Sequence, residues 1–404
     1  MNYKIYKKII TSLTVVLIIL STILDSGGEK YIRNVAMIMV FILAMLQLSR
    51  NFSYPGILSY LTLVSLLSVS IMRSIASGVE PVTMVAWILP ILSIPIFVVF
   101  CRAANITAKH FIASGALFGS VVILLFVGRL TGNPMLMELN ELLTSGAAGF
   151  FNYKQAFFSD ELPVVYFQGT LSLVFIGVLA WGYGRYFVFA IILIALVVAP
   201  SRFGVFSVCA FALFYTLLSK LSFRYDRFWL TIICVTAFAF ITLLFNNTMA
   251  RDSSFWLEFD SVRGGHLSSI IEVLNDDPSI LLTGAGPGSQ FFSSGFGALA
   301  DNIEISQLEL LRKYGIAFIV FVHLFLALLI RRLVTKKRNA EVFALLSHYV
   351  VSLSNPALLS IPFLLFLGYL IAQCGLGRFR LSNMKMLDNV DNNRRNEPQI
   401  GTSK

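Results

Sequence analysis

Only 13% of the 404 residues are charged, so a mixed cluster of acids and bases stands out, and the richer of the two long polar connections, with the helix start that follows it, runs from Arg251 to Lys313. Three kinds of chemistry are open to it. Arg263 offers a planar fork of donors that matches an oxyanion bidentately. Glu304, His266 and Glu309 are groups able to take a proton from a hydroxyl. Gly284, Gly286 and Gly288, with Pro287 between them, read as a tight loop whose amides face an anion or admit a close-lying group. Earlier in the chain, Arg202 follows Pro200-Ser201 at the start of an apolar run, where unpaired amides and the helix dipole also favour an anion. Arg312, in Glu309-Leu-Leu-Arg312-Lys313, and Tyr166, in Pro163-Val-Val-Tyr166-Phe-Gln168, are secondary candidates.

Each residue also has a plain structural reading. Arg202 marks an interface and snorkels, and Arg263 is a loop charge paired with Asp260. Glu304 is a first-turn carboxylate favoured by the helix dipole, and His266 an exposed loop histidine. Glu309 and Lys313, spaced i, i+4, make a solvated surface pair. The glycines form a re-entrant turn, Tyr166 belongs to an aromatic belt, and His323 and His348 pack inside apolar helices.

The elements that must position these residues are apolar. Hydrophobic residues are 57% of the chain and mean hydropathy is +0.80, which excludes a water-soluble fold. About twelve spanning candidates follow from the ~20 apolar residues needed to cross ~30 Å of hydrocarbon: roughly 8–25, 33–49, 54–72, 81–101, 109–129, 163–182, 186–200, 202–219, 227–246, 306–330, 340–353 and 357–376. Pro200, Pro356 and Pro362 bound or interrupt the seventh, eleventh and twelfth. With the N-terminus in the cytoplasm, 21 of the 31 lysines and arginines fall in cytoplasmic segments, as the positive-inside rule requires. The net charge of +10 therefore reflects topology rather than a nucleic-acid partner. The basic start precedes an apolar stretch too long for a signal-peptide core, so it reads as the first span.

The expected fold is an all-α polytopic membrane protein with both termini cytoplasmic. Residues 1–376 form one transmembrane domain with large outer loops at about 130–162 and 247–305, and 377–404 is a polar, disordered tail. No internal repeat marks a transporter of duplicated halves. Cys101, Cys209, Cys234 and Cys374 read as free buried thiols, and no Cys, His and carboxylate grouping has metal-ligand spacing.

The order Pro200-Ser201-Arg202-Phe-Gly204, then Asp260-Ser-Val-Arg263-Gly-Gly-His266, then Gly284-Ala-Gly286-Pro-Gly288, then Glu304 leading through Glu309 to Gly315, resembles the membrane glycosyltransferase superfamily of O-antigen polymerases (Wzy type) and O-antigen ligases. The resemblance covers about residues 160–330. Family ligases carry a histidine at the start of the last of these helices, eleven positions before its glycine, where this chain has Glu304. That difference points to the polymerase branch.

The resemblance implies a GT-C-like fold in the bacterial inner membrane, with its site facing the periplasm. It implies metal-independent transfer of a growing glycan from undecaprenyl diphosphate onto a lipid-linked repeat unit, with no cofactor. Arg202 and Arg263, with Gly284, Gly286 and Gly288, would hold the diphosphate, and Glu304 or His266 would be the base. The bilayer, the lipid-linked oligosaccharide, a chain-length regulator and a flippase are the implied partners. Transfer to lipid A core by a ligase, and movement of a lipid-linked sugar by a transporter, are the alternatives.

Overall fold

The computed structural model describes residues 3–24, 38–42, 54–144, 165, 168–199, 201–220, 254–303, 305–353 and 357–375. These are mostly helical. In chain order they form α1 (Tyr3–Leu24), α2 (Tyr54–Ala76), α3 (Pro81–Leu92), α4 (Ile94–Ala103), α5 (Ala108–Thr131), α6 (Pro134–Thr144), α7 (Ser172–Gly182), α8 (Tyr186–Val198) and α9 (Arg202–Lys220). There follow α10 (Ser254–Asp276), α11 (Ser279–Thr283), a hairpin of β1 (Phe291–Ser293) and β2 (Ala298–Ala300), α12 (Ser306–Thr335), α13 (Asn339–Val351) and α14 (Ile361–Cys374).

Local chemistry sets several boundaries. Thr107 donates its amide to His110 Nδ1 at 3.0 Å ahead of α5, and Gly132 closes that helix in the left-handed region at φ 66°. The span expected at 81–101 is two helices, α3 and α4, bent by 41°, with Pro90 inside the first and a proline opening the second. By length and composition α5 and α12 are long and apolar enough to cross a membrane, and the bent pair makes a third. The seventh, eleventh and twelfth expected spans appear as helices of 13, 13 and 14 residues. The expected span 227–246 and the tail 377–404 lie outside the described residues.

Helix α7 runs through the middle: Leu171 to Ala180 are all buried against α5, α8, α9 and α13. Around it Phe111, Phe175, Phe363 and Phe366 form an aromatic core, where Phe175 stacks on Phe366 at 4.5 Å and His348 stacks on Phe363 at 4.2 Å. Cys101 and Cys374 are free and buried there, whereas Cys209 is exposed, a correction to the expectation of buried thiols throughout. It points outward from the apolar helix α9.

The helices alternate in direction. At one end the turns after α4, α7 and α12 meet the end of α14: Gln373 Nε2 donates to the Ile106 carbonyl at 3.0 Å and Tyr183 OH to Glu341 at 2.7 Å. Tyr215 OH reaches the Gly182 carbonyl at 3.2 Å, so the far terminus of α9, Arg202, belongs to the opposite end. That opposite end carries α11, the hairpin and the start of α12, whose Ser306 amide donates to the Ser352 carbonyl at 3.2 Å.

Candidate functional site

The segment 254–303 is folded onto this opposite end rather than being a loop. Arg263 and His266, expected in an extended outer connection, lie on helix α10. His266 is fully buried rather than an exposed loop histidine. Its Nδ1 lies 2.6 Å from Ser293 Oγ and its ring meets Phe296 edge-on at 4.3 Å. The preceding Gly265 makes this possible, because a Cβ there would sit 2.4 Å from the Gly295 amide nitrogen. Ser294 completes the seam, donating its amide to Ser269 Oγ at 2.9 Å and its hydroxyl to the Gly265 carbonyl at 2.8 Å. Ile270, Phe291, Ala300 and Ile303 form a small core beneath it.

The glycine loop is threaded between α2, α3 and α12. Gly284, Gly286 and Gly288 all have φ between 77° and 96°, the region open to glycine. Gly284 N donates to the Ile280 carbonyl at 2.8 Å, Ala285 N to the Arg312 carbonyl at 2.6 Å and Gly286 N to the Lys313 carbonyl at 3.1 Å. The expectation that the Gly284 and Gly286 amides face an anion is therefore corrected. The Gly284 amide closes α11, while those of Ala285 and Gly286 complete the backbone of α12, which Gly315 breaks at φ 77°, ψ 175°. Residues from the N-terminal half hold the loop from the other side. Ser74 Oγ donates to the Pro287 carbonyl at 2.9 Å and Ser70 Oγ to the Thr283 carbonyl at 3.0 Å. Arg73 bonds Ser279 Oγ at 2.6 Å and Thr283 Oγ1 at 2.8 Å and pairs with Asp277. Hydrogen bonds from Ser279 first, with the Arg73 guanidinium beside it, hold the Asp277 carboxyl below the usual carboxylate range.

Beneath the loop, Glu309, Arg312 and Lys313 form a buried knot. Glu309 and Lys313, expected as a solvated pair, are 3% and 0% exposed, and Lys313 Nζ lies 2.6 Å from Glu309 Oε1. The reason is Trp87 of α3, whose ring covers the ammonium at 2.8 Å from its centroid. Arg312 donates to both Glu309 oxygens at 3.1 and 2.7 Å, to the carbonyl and Oγ of Ser289 at 3.1 and 3.0 Å, and to the Asp301 carbonyl at 3.3 Å. All five of its donors are occupied. Arg312 is thus a post joining the loop and hairpin to α12 rather than a fork turned toward a ligand. Both basic side chains thus converge on the buried Glu309 carboxylate in an apolar setting, where interactions between charges are strong.

Arg202 and Arg263 have described backbones at the first residue of α9 and within α10, but their side chains, Glu304 and Tyr166 lie outside the described residues. Of the neighbouring described residues, Ile303 is buried in the small core and Ile305 precedes α12. Sequence reasoning missed Ser70, Arg73, Ser74, Trp87 and Ser293. A signal existed for the first three: a charged residue and two serines at i, i+3 and i+4 share one face of a largely apolar helix and need partners. No protein-family model and no curated protein matches the chain.

Proposed function

We propose that the protein is a membrane glycosyltransferase of the polysaccharide-polymerase type, moving a glycan from undecaprenyl diphosphate onto a hydroxyl of a second lipid-linked repeat. The observation that carries the reading is the buried knot: Arg312 and Lys313 on the single carboxylate of Glu309, under a glycine loop at one end of an apolar bundle. Such an end meets the headgroups of lipid-borne substrates, and the basic groups gathered there favour a departing diphosphate, whose charge grows as the anomeric C–O bond breaks.

In this reading the acceptor hydroxyl gives its proton to Glu304 as its oxygen bonds to the anomeric carbon, and undecaprenyl diphosphate leaves with the bonding pair. Arg202 and Arg263, the two candidate forks, bind that diphosphate. Glu304, where related ligases carry histidine, favours polymerisation over transfer to lipid A core. The chain crosses a bacterial inner membrane about twelve times with the glycine-loop end in the periplasm. Supporting this orientation, the opposite end gathers Arg185, Arg331, Arg332, Lys336 and Lys337, all exposed. A flippase and a chain-length regulator act with it.

Reconstitution in liposomes with an undecaprenyl-diphosphate-linked repeat tests the reading. A product ladder spaced by one repeat is expected. Transfer only after addition of lipid A core makes the protein a ligase, and no product from authentic substrate under either condition overturns the reading.

A further inference from the structure

The end of the bundle opposite the glycine loop has chemistry of its own. Arg185, Arg331, Arg332, Lys336 and Lys337 are exposed there. Arg338 is fixed by Glu341 at 3.0 Å, Tyr369 OH at 3.2 Å and Gln373 Oε1 at 2.8 Å. Glu341, the carboxylate nearest these cations among the described residues, is 1% exposed, and its Oε1 also accepts from Tyr183 and Tyr369. It therefore does not neutralise the outward-facing charges.

One of the exposed cations, Lys336, is also held in place. Lys336 Nζ donates to the Gln373 carbonyl at 2.9 Å, one of the carbonyls that α14 leaves open at its C-terminus, and Gln373 is anchored in turn on the Ile106 carbonyl at 3.0 Å. The depth of the cations follows from α12. Beyond its break at Gly315 the helix runs on to Thr335, about 20 residues or ~30 Å, the thickness of a hydrocarbon core. Lys336 and Lys337 thus stand at the level of the lipid headgroups, which Arg331 and Arg332 reach from the end of the span with their long side chains.

We propose that this end is a binding site for anionic phospholipid headgroups, with a phosphodiester seated between Arg332 and Lys336 where α12 and α14 terminate. Charge complementarity selects the occupant: a dense, positioned set of cations at headgroup depth, with its neighbouring carboxylate buried, favours phosphatidylglycerol over a zwitterionic lipid. The site is independent of the chemistry at the other end.

The test uses the full chain in nanodiscs of phosphatidylcholine with or without phosphatidylglycerol, reading retained lipid by native mass spectrometry and stability by thermal unfolding. Phosphatidylglycerol should be retained preferentially and raise the unfolding temperature, and both effects should fade at ~1 M salt. Replacing Arg331, Arg332, Lys336 and Lys337 together by glutamine should lower retention about tenfold or more, while Arg129→Gln, at the far end of α5, leaves it unchanged. The single variants Arg332→Gln and Lys336→Gln, at the two residues that flank the phosphodiester, each lower retention if the quadruple variant does not fold. Equal retention of both lipids by the unaltered protein, equal retention by the variants, or full replacement of the effect by soluble glycerol phosphate overturns the proposal.

Discussion

The ammonium of Lys313 lies over the ring of Trp87, 2.8 Å from its centroid, while the same nitrogen is 2.6 Å from Glu309 Oε1. Through this contact, and the Tyr314 hydroxyl that donates to the Trp87 carbonyl at 3.0 Å, α3 of the N-terminal half closes over the charged first turns of α12. Glu309→Gln leaves the buried Arg312 guanidinium without its carboxylate and is expected to destabilise the protein by about 3–5 kcal/mol. Denaturant unfolding in detergent checks this. A loss below ~1 kcal/mol is the behaviour of a solvated pair and would contradict the buried knot.

The glycine loop makes a graded prediction. A Cβ on Gly284 would stand 2.2 Å from the Lys313 carbonyl oxygen at φ 77°, whereas Gly132, at φ 66°, has nothing within 4 Å. Gly132→Ala should cost about 1–2 kcal/mol from its left-handed backbone alone. Gly284→Ala should cost roughly 3 kcal/mol or more, because backbone must move as well. Equal costs in parallel unfolding experiments would mean that the loop relaxes freely.

Asp277 ties the α10–α11 junction to Arg73 of α2, and its carboxyl is held low, first by Ser279. A depressed folded-state value means the carboxylate contributes its stability above the unfolded-state value and loses it as pH falls through the folded one. The apparent unfolding temperature should therefore drop more steeply below about pH 4 in the unaltered protein than in Asp277→Asn. Identical acid limbs would dismiss the contribution of this junction.

For the transfer chemistry, Glu304→Gln should slow polymer formation at least ~10²-fold if Glu304 is the base, and an effect of a few-fold returns it to a helix-dipole role. Arg202→Ala and Arg263→Ala should each abolish polymer while membrane insertion persists. Retained chain length in both variants would remove the diphosphate role from these residues.

Much of the helical pattern was legible because apolar runs and their punctuation coincide: the run 109–129 is α5, bracketed by Thr107 and Gly132. What escaped depends on partners distant in sequence. Glu309 and Lys313 have the same i, i+4 spacing on a wet surface or under a tryptophan, and only the packing of Trp87 decides. Arg73 and Asp277 are 204 residues apart, and nothing local to either announces the other. The helix α10 was obscured by Gly264-Gly265 and its charges, which read as loop. Gly265 instead serves close approach of the hairpin tip, a tertiary demand that propensity does not carry.

In the proposed reaction a glycosidic bond forms as undecaprenyl diphosphate departs. Counting that lipid by mass spectrometry, alongside the bonds formed in liposomes holding only the purified protein and a lipid-linked repeat, tests it most directly. The account predicts one undecaprenyl diphosphate released per bond. Lipid-linked repeat that crosses the bilayer intact, with no undecaprenyl diphosphate released, would contradict it.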